Sequence, residues 1–250
     1  MTTIAIASLL PTRLNANGDA ENAAVLAVRA RWRGHDASVI AANAPTELPE
    51  DVHAIVVGSC DDPSLAATLG ALLPFRARLI AAVEAGVPIV AVANGWKLLT
   101  ERVEMTRGEW VEGLGIVSGE SPLRERRSSD DLVVDVLPDG QLPAGTRLVG
   151  YENHARDFTP GVGVAPLGRT VHGRGNGNGS EGAIVGAFIG THLHGPVLAK
   201  NPVLADHVLA QALVLAGGAH DGAQVSDARL DALDAYAAHA RDQIVASLSH

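Results

Sequence analysis

The residues best suited to chemistry lie in three short segments, each of which follows an apolar stretch. These segments are residues 58–62 (GSCDD), 93–95 (ANG) and 192–196 (HLHGP). Ligands of open α/β sheets bind at the carboxyl ends of the strands, so we expect the three segments to meet at one edge of a sheet. An imidazole takes and returns protons near neutral pH, which makes His194 a candidate general base.

The segment 87–99, VPIVAVANGWKLL, is central to this prediction. The apolar run 89–92 predicts a buried strand, and the turn at 93–95 must redirect the chain before a helix begins. In α/β hydrolytic folds such a turn carries the nucleophile, and the next backbone N–H, here that of Asn94, points at an oxyanion. The apex residue is Ala93, which has no nucleophilic atom. Taken alone, the segment is more simply explained as an ordinary buried strand of a parallel sheet, and the other segments change this balance.

Other candidate residues each have a structural explanation. Cys60 lies on the opposing loop and is a rival nucleophile, although a small buried cysteine is the simpler interpretation. His192 and His194 have the spacing of two strand ligands, but no cysteine or carboxylate follows at a matching interval, so we predict no metal site. Arg127 lies in a polar loop that is typical of a solvated face, and its guanidinium could also bind a carboxylate through two hydrogen bonds.

Composition restricts the function further. The chain has 250 residues, 47% of them apolar, and a net charge of −9, which argues against a nucleic-acid surface and favours a small molecule or a protein as partner. Cys60 is the single cysteine, so no internal disulfide is possible and a cytoplasmic location is expected. The first residues lack a basic leader pattern, and we expect no apolar run to approach the length of a membrane span.

The first part of the chain has the pattern of a parallel sheet with helices on both faces. Strands alternate with helices, the second of which is broken at Pro74. The predicted strands are 4–10, 37–41, 53–57 and 89–92, and the predicted helices are 21–33 and 65–85.

After residue 100 the segments become short and are separated by Gly, Pro and Asp, which predicts antiparallel strands. A glycine-rich stretch is expected to be a mobile hairpin tip, and a later apolar run is expected to be one buried strand. Pro202 is the expected first residue of a helix that Asn201 caps. We predict strands over 102–106, 115–119, 132–137, 147–152 and 183–192, the mobile tip over 173–182, helices over 203–216 and 226–247, a glycine-rich joint at 217–222, and a division into 1–216 and a helical extension, 217–250.

Several short motifs carry a family resemblance. In chain order they are Pro11, Leu14, Asn15, Gly18, Asp19 and Asn22 of the first loop, VPIVAVANG, WVEGLGI at 110–116, GYENH at 150–154, PLG at 166–168, and GTHLHGPVLAKNP at 190–202. With these motifs the chain resembles the class I (triad-type) glutamine amidotransferases over about residues 4–215. It is most similar to the CobB/CobQ-like branch and, within it, to GatD-type glutaminase subunits.

The resemblance implies a fold, a partner and a setting. The fold would be an open, mostly parallel, flavodoxin-like sheet with added antiparallel strands and a C-terminal helix. GatD-type subunits work with a Mur-ligase-like partner, MurT, to amidate the D-glutamate of the cell-wall precursor lipid II. A cytoplasmic heterodimer without a cofactor is therefore expected.

The resemblance also assigns roles to residues. The family places its cysteine nucleophile at the position of Ala93, its base at His194, and the arginine thought to seat the glutamine carboxylate at Arg127. Its oxyanion loop is a glycine triplet, matched here by Gly58-Ser59-Cys60, with Asn94 following the vacant nucleophile position. The glutamine usually found four residues past the nucleophile is Lys97 in this chain.

Four functional hypotheses follow from these matches and departures. The first is a pseudo-glutaminase whose ligase uses free ammonia or another amine, since Ala93, Ser59-Cys60 and Lys97 depart together. The second is an active amidotransferase in which alanine has been put in place of cysteine at residue 93. The third is a module that senses a small amino acid, such as glutamine, in the vestigial pocket. The fourth, catalysis by Cys60, lacks an elbow at that residue.

Overall fold

A computed structural model describes residues 1–137, 142–219 and 227–248. Its strands, in chain order, are β1 Thr3–Leu9, β2 Asp36–Ala42, β3 Ala54–Val57, β4 Ile89–Val92, β5 Thr100–Thr106, β6 Glu109–Glu112, β7 Val117–Ser121, β8 Leu123–Val136, β9 Arg147–Arg156, β10 Thr159–Pro160, β11 Gly168–His172, β12 Ser180–Glu181, β13 Ala183–Val185 and β14 Phe188–Thr191. Its α-helices are α1 Asn22–Trp32, α2 Leu65–Leu72, α3 Arg76–Glu84, α4 Ala93–Lys97, α5 Val197–Lys200, α6 Pro202–Leu215 and α7 Ala228–Ser247.

The centre of the molecule is a six-stranded sheet in the order β13-β14-β4-β3-β1-β2. All neighbouring strands are parallel except β13, which pairs antiparallel with β14 at one edge. Every residue of β3, β4 and β14 is buried, as expected for strands covered on both faces. The predicted open, mostly parallel α/β sheet is confirmed.

Alternate residues of the central strands enter two separate cores. Val90 and Val92 of β4 pack in the core that includes the buried faces of α1 and α6. Ile89 and Ala91 pack in the other core, with residues of α2 and α3. This division follows from the two-residue period of a strand, which sends successive side chains to opposite faces of the sheet.

The predicted helix over 65–85 is interrupted where expected. The 3-10 turn Leu73–Phe75 separates α2 from α3, because Pro74 lacks the N–H that a continuous α-helix needs. The expectation that no apolar stretch reaches the length of a membrane span is wrong, since the 20-residue helical segment Leu65–Glu84 contains an 18-residue window with a mean hydropathy of 1.4. Helices of protein cores also reach these values, and the side chains of Leu72, Phe75 and Leu79 are buried in the second core.

Two four-stranded sheets are added to the central one, in the orders β10-β7-β5-β6 and β12-β11-β8-β9. Most of their pairs are antiparallel, as predicted, but β5 and β7 pair in parallel. The strands β8 and β9 are longer than predicted. The first half of β8, LRERRSSDD, is polar on both faces, so apolar alternation marks only the end of the strand.

Three predicted details differ from the structure. The expected single strand over 183–192 is the hairpin of β13 and β14, which turns at Gly186 with a φ of 55°. The glycine-rich stretch is held by hydrogen bonds, among them two from its backbone N–H groups to Glu152, and is not a free hairpin tip. Pro202 does begin α6, but the Asn201 side chain bonds to the backbone of Val149 on β9 and does not cap the helix.

The C-terminal helix α7 packs beside α1 and α5. Arg29 of α1 joins two helices, since its guanidinium donates to Asp206 of α6 and to Asp234 of α7. The predicted joint at 217–222 and the predicted helix start at 226 fall partly outside the described residues. The division of the chain after residue 216 stays a prediction.

Candidate functional site

The three predicted segments lie together at the carboxyl edge of the central sheet. Strand β4 pairs with β14 on one side, with Val92 opposite Thr191, and with β3 on the other side, with Ala91 opposite Val57. The segments that leave these strands are therefore neighbours. Backbone and side-chain contacts between the first two segments make this proximity explicit.

Ala93 stands at a strained turn between β4 and α4. Its φ is 42°, a left-handed value that is unfavourable for a residue with a Cβ atom, and its side chain is buried. Gly95 is required at the next bend, because a Cβ there would collide with the carbonyl oxygen of Gly58. The backbone thus has the form of a nucleophile elbow although the apex is an alanine.

The backbone N–H that follows the apex already has a partner. Asn94 donates this N–H to the Ser59 hydroxyl oxygen at 3.2 Å. In an acyl-transfer site the N–H after the nucleophile has to be free for the developing oxyanion. Gly58 beside it has no space for a side chain, since a Cβ would collide with the carbonyl of Leu14.

His194 is held as a general base would be. Its Nδ1 lies 2.8 Å from Oδ2 of Asp19, and its backbone N–H donates to the carbonyl of Tyr151 at 2.8 Å. Among the described residues no hydrogen-bond partner reaches its Nε2. Because the carboxylate accepts from Nδ1, the proton resides there and the Nε2 lone pair is available for proton transfer.

Asp19 is one of the site residues to which the sequence analysis assigned no role. It is fully buried, and burial raises the pKa of its carboxyl, against the opposing hydrogen bond and charge of His194. The left-handed residues Asn17 and Gly18 bend the first loop so that Asp19 reaches across to the histidine. An acidic residue in the loop after β1, at the same sheet edge, was the available signal.

Arg127 reaches the elbow through a carboxylate of the chain itself. Its Nη1 donates to Oδ2 of Asp62 at 2.5 Å, and its Nε donates to the Asn153 side-chain oxygen at 2.6 Å. The other oxygen of Asp62 accepts from the Asn94 amide at 3.0 Å and from the Arg156 guanidinium at 2.7 Å. Burial raises the pKa of Asp62, but the Asn94 hydrogen bond and the two arginine charges outweigh it, so the net pKa lies below its ordinary value.

A buried cluster of charges lies behind the elbow. Lys97 is fully buried with its Nζ 3.6 Å from the centre of the Trp96 ring, and no hydrogen-bond acceptor among the described residues reaches it. Burial lowers the pKa of Lys97 well below its usual value. The buried Glu181 accepts from the Thr191 hydroxyl and from the backbone and ring nitrogens of His192, and burial raises its pKa to about 7.

The Cys60 carbonyl accepts from the Asn94 amide at 2.9 Å, but the side chains of Cys60 and His192 do not take part in the elbow arrangement. Cys60 is buried, and burial raises the pKa of its thiol, which lowers the fraction of reactive thiolate. His192 faces Glu181, whereas His194 faces Asp19, so the two histidines do not converge on one point. Within the described ranges no group of three or more His, Cys, Asp or Glu side chains could hold a metal ion.

Comparison with known proteins agrees with this geometry. Residues 5–202 match the CobB/CobQ-like glutamine amidotransferase domain. The chain is 27% identical over 212 residues to the lipid II isoglutaminyl synthase (glutamine-hydrolyzing) subunit GatD of Staphylococcus aureus (strain N315), with 84% of each chain covered. It is 28% identical over 127 residues to the Streptococcus pneumoniae (strain ATCC BAA-255 / R6) subunit of the same name, covering 50% of this chain and 47% of that protein.

Solved structures share the fold at lower identity. PurLQS from Thermotoga maritima superimposes with a TM-score of 0.53 at 17% identity, covering 90% of this chain and 96% of that one. The glutaminase domain of Trypanosoma brucei CTPS gives a TM-score of 0.53 at 11% identity, covering 86% and 94%. The matched domain spans most of the chain and includes the elbow and His194, so the chain belongs to the CobB/CobQ-like glutamine amidotransferase family.

Proposed function

We propose that this chain is a GatD-like subunit of an amide-forming ligase and that it no longer hydrolyses glutamine. Its partner is a Mur-ligase-like, MurT-type protein in a cytoplasmic heterodimer, and the shared product is an amidated cell-wall precursor. The similarity to two subunits named for lipid II isoglutaminyl synthase supports this assignment. Residues 1–216 would form the amidotransferase-like domain, and 217–250 a helical extension.

The main support for a loss of hydrolysis is that the elbow is intact but has alanine at its apex. Glutamine hydrolysis in this family needs a thiolate at that position to attack the side-chain amide and release ammonia, and water then frees glutamate from the thioester. Ala93 cannot form that bond. Removing the nucleophile of such a unit lowers turnover by roughly a millionfold, which the His194–Asp19 pair cannot offset.

Glutamate release tests the loss of hydrolysis directly. We expect the purified chain, alone and with its partner, to release no more glutamate from glutamine than its His194→Ala variant. Coupled detection with glutamate dehydrogenase is sensitive enough for slow turnover. Turnover that disappears when His194 is removed would contradict the proposal, since it would show that another group attacks the amide.

The amine source tests the role of the complex. With ATP and the acceptor present, we expect the complex with its Mur-ligase-like partner to form the amide from ammonium or another added amine, but not from glutamine. Product formation is followed by mass spectrometry. Equal product from glutamine and from ammonium, in a preparation free of other glutaminases, would show that hydrolysis has been kept.

The intact His194–Asp19 pair favours a second candidate, an active amidotransferase with alanine in place of its cysteine. Ala93→Cys discriminates between the two. A variant with the turnover of an ordinary glutaminase would establish the second candidate, whereas a variant as inert as the parent would support the first. The inert variant would be explained by the Ser59 hydroxyl, which still accepts the N–H of Asn94 that an oxyanion would need.

A further inference from the structure

A groove with a volume of about 530 Å³ separates the C-terminal helix α7 from α1 and α5. Val25 and Val28 of α1 form one wall, and Leu230, Ala237 and Ala240 of α7 form the other. Of the α7 side chains that the structure describes, only that of Leu230 is buried. The middle of this 20-residue helix is therefore separated from α1 by space that no described side chain fills.

Polar contacts hold α7 at both ends of the groove. At one end, the guanidinium of Arg29 on α1 donates to the carboxylate of Asp234 on α7. At the other end, the guanidinium of Arg241 on α7 donates to the backbone carbonyl of Lys200, the last residue of α5. Because α7 is fixed on both sides of the space, the groove is preformed, as binding sites for small molecules usually are.

The size of the groove indicates a small molecule. Such sites typically measure roughly 300–1,000 Å³. An α-helix with its side chains is about 10 Å wide, so the groove would hold little more than one helical turn of a partner. Its walls are helices, which offer no strand edge to an extended peptide. At the rim, Leu233 and Tyr236 keep 48% and 73% of their surface exposed, so the groove is open to solvent.

The two ends of the groove differ in charge. At the Arg29 end, two arginine and two aspartate side chains bond to one another, so their charges balance. At the other end, Lys200 and Arg241 line the groove together with one carboxylate, that of Glu21. In the part of the chain that the structure describes, neither cation is paired with a carboxylate. This end therefore has one positive charge in excess.

The guanidinium of Arg241 is suited to an anionic head group. Among the described residues only its Nη1 has an acceptor, so its other N–H groups are available to a ligand. The Lys200 ammonium lies beside Gly195 and adds positive charge to the same end. Guanidinium groups bind carboxylates through strong, charge-assisted hydrogen bonds. A carboxylate matches the single excess charge, whereas a phosphate monoester carries about −1.5 to −2 charges at pH 7.

We infer that the groove between α1, α5 and α7 binds a single aliphatic chain with a carboxylate head, with the head at Arg241 and the chain along the alanines of α7. This site is separate from the elbow and from the proposed function. Its third wall begins at Ala228 and lies outside the matched amidotransferase domain, residues 5–202. The inference and the proposed function therefore fail independently.

Calorimetric titration of the full chain with dodecanoate, below its micelle concentration, tests the inference. We expect Ala237→Leu, which places a larger side chain in the groove, to weaken dodecanoate binding at least about tenfold. Ala235→Leu is the matched control, because it makes the same substitution at an exposed position of the same helix. It should leave the affinity unchanged. Thermal unfolding of both variants confirms that α7 still folds.

The head group is tested with dodecanol, which has the same chain without the charge. We expect the parent to bind dodecanol at least about tenfold more weakly than dodecanoate. Arg241→Gln should weaken the binding of dodecanoate but not that of dodecanol, because glutamine can still donate to the Lys200 carbonyl and keep α7 in place.

Three results would overturn the inference. The first is a parent chain that binds no dodecanoate, and the second is equal affinity for dodecanoate and dodecanol, which would show that no head group is recognised. The third is an equal loss of affinity in Ala237→Leu and Ala235→Leu. If dodecanoate did not bind and Ala237→Leu instead weakened the complex with the ligase partner, the groove would belong to a protein interface and the inference would be refuted.

Discussion

The candidate site has two sides, a base side at His194 and a nucleophile side at Ala93, and they differ in what they contain. On the base side, His194 is paired with a buried carboxylate and its loop is fixed by hydrogen bonds to Glu181. On the nucleophile side, the apex is Ala93 and the N–H of Asn94 is bound to Ser59. The helix α4 buries Lys97, whose Nζ lies over the Trp96 ring and is reached by no hydrogen-bond acceptor among the described residues. The base side holds an imidazole paired with a carboxylate, whereas the apex of the nucleophile side has no nucleophilic atom.

This difference shows that the shape of the turn at residue 93 does not depend on a nucleophile. The left-handed turn at Ala93 is kept in place by the approach of Gly95 to the backbone of Gly58 and by the pairing of β4 with β14. Chemical groups on this backbone can change while the turn persists. The following three variants test how far each side depends on its buried charges and on its strained turn, from the largest expected effect to the smallest.

Glu181→Ala should be the most damaging of these changes. It leaves the Thr191 hydroxyl and two nitrogens of His192 buried without an acceptor, so we expect a loss of about 3–5 kcal/mol in the free energy of unfolding. Urea unfolding measures this loss. Glu181→Gln is the control and should lose less, because its amide keeps one acceptor oxygen. A loss below about 1 kcal/mol in the alanine variant would show that the base loop does not depend on this carboxylate.

Lys97→Met should stabilise the protein by roughly 1–3 kcal/mol at neutral pH, because it removes a buried amine that no acceptor in the described part of the chain reaches. Since the folded pKa of Lys97 lies below 10.5, the folded state binds fewer protons than the unfolded state between the two values. The stability of the parent therefore rises with pH through that window, and the advantage of the variant disappears above about pH 10.5.

Denaturant titrations at neutral and alkaline pH measure this pH dependence. Lys200→Met, which changes a lysine with a partly exposed side chain, is the matched control and should alter stability by less than about 0.5 kcal/mol. If Lys97→Met destabilised the protein, the attraction between the Lys97 ammonium and the Glu181 carboxylate would have to exceed the free-energy cost of burying the ammonium.

Ala93→Gly should have the smallest effect. Glycine relieves the left-handed strain at a φ of 42°, but it also gains freedom in the unfolded chain, so the net stabilisation is about 0.5 kcal/mol. Thermal unfolding measures the shift. Ala91→Gly, two residues earlier in an extended strand, is the control and should destabilise. Destabilisation by both variants would mean that the turn at residue 93 is not strained.

The parallel sheet was predictable because its strands are short continuous apolar runs, such as the one before Ala93, and alternate with helices. The hairpin of β13 and β14 was not predicted, because its turn at Gly186 interrupts neither the apolar character nor the length of the run. The polar half of β8 was missed for the opposite reason. Its position in the sheet depends on its long pairing with β9 and not on a buried face of its own.

The candidate site shows the same limit. The pattern of residues predicted the turn at Ala93 and the proximity of His194, since both follow buried strands. It did not identify Asp19 or Asp62 as their partners. Asp19 pairs with His194, a residue far along the chain. Asp61 and Asp62 are adjacent, and only the three-dimensional structure shows that Asp62 is the one that contacts the arginines. Local spacing carries no information about such contacts.

The close stacking of Gly95 on Gly58, and of Gly58 on Leu14, has a practical consequence. These three loops approach one another through main-chain atoms, so this part of the support of residue 93 does not depend on the residue type there. We therefore expect that a small side chain, such as that of serine or cysteine, can replace the alanine at the apex without a change in the backbone of the turn.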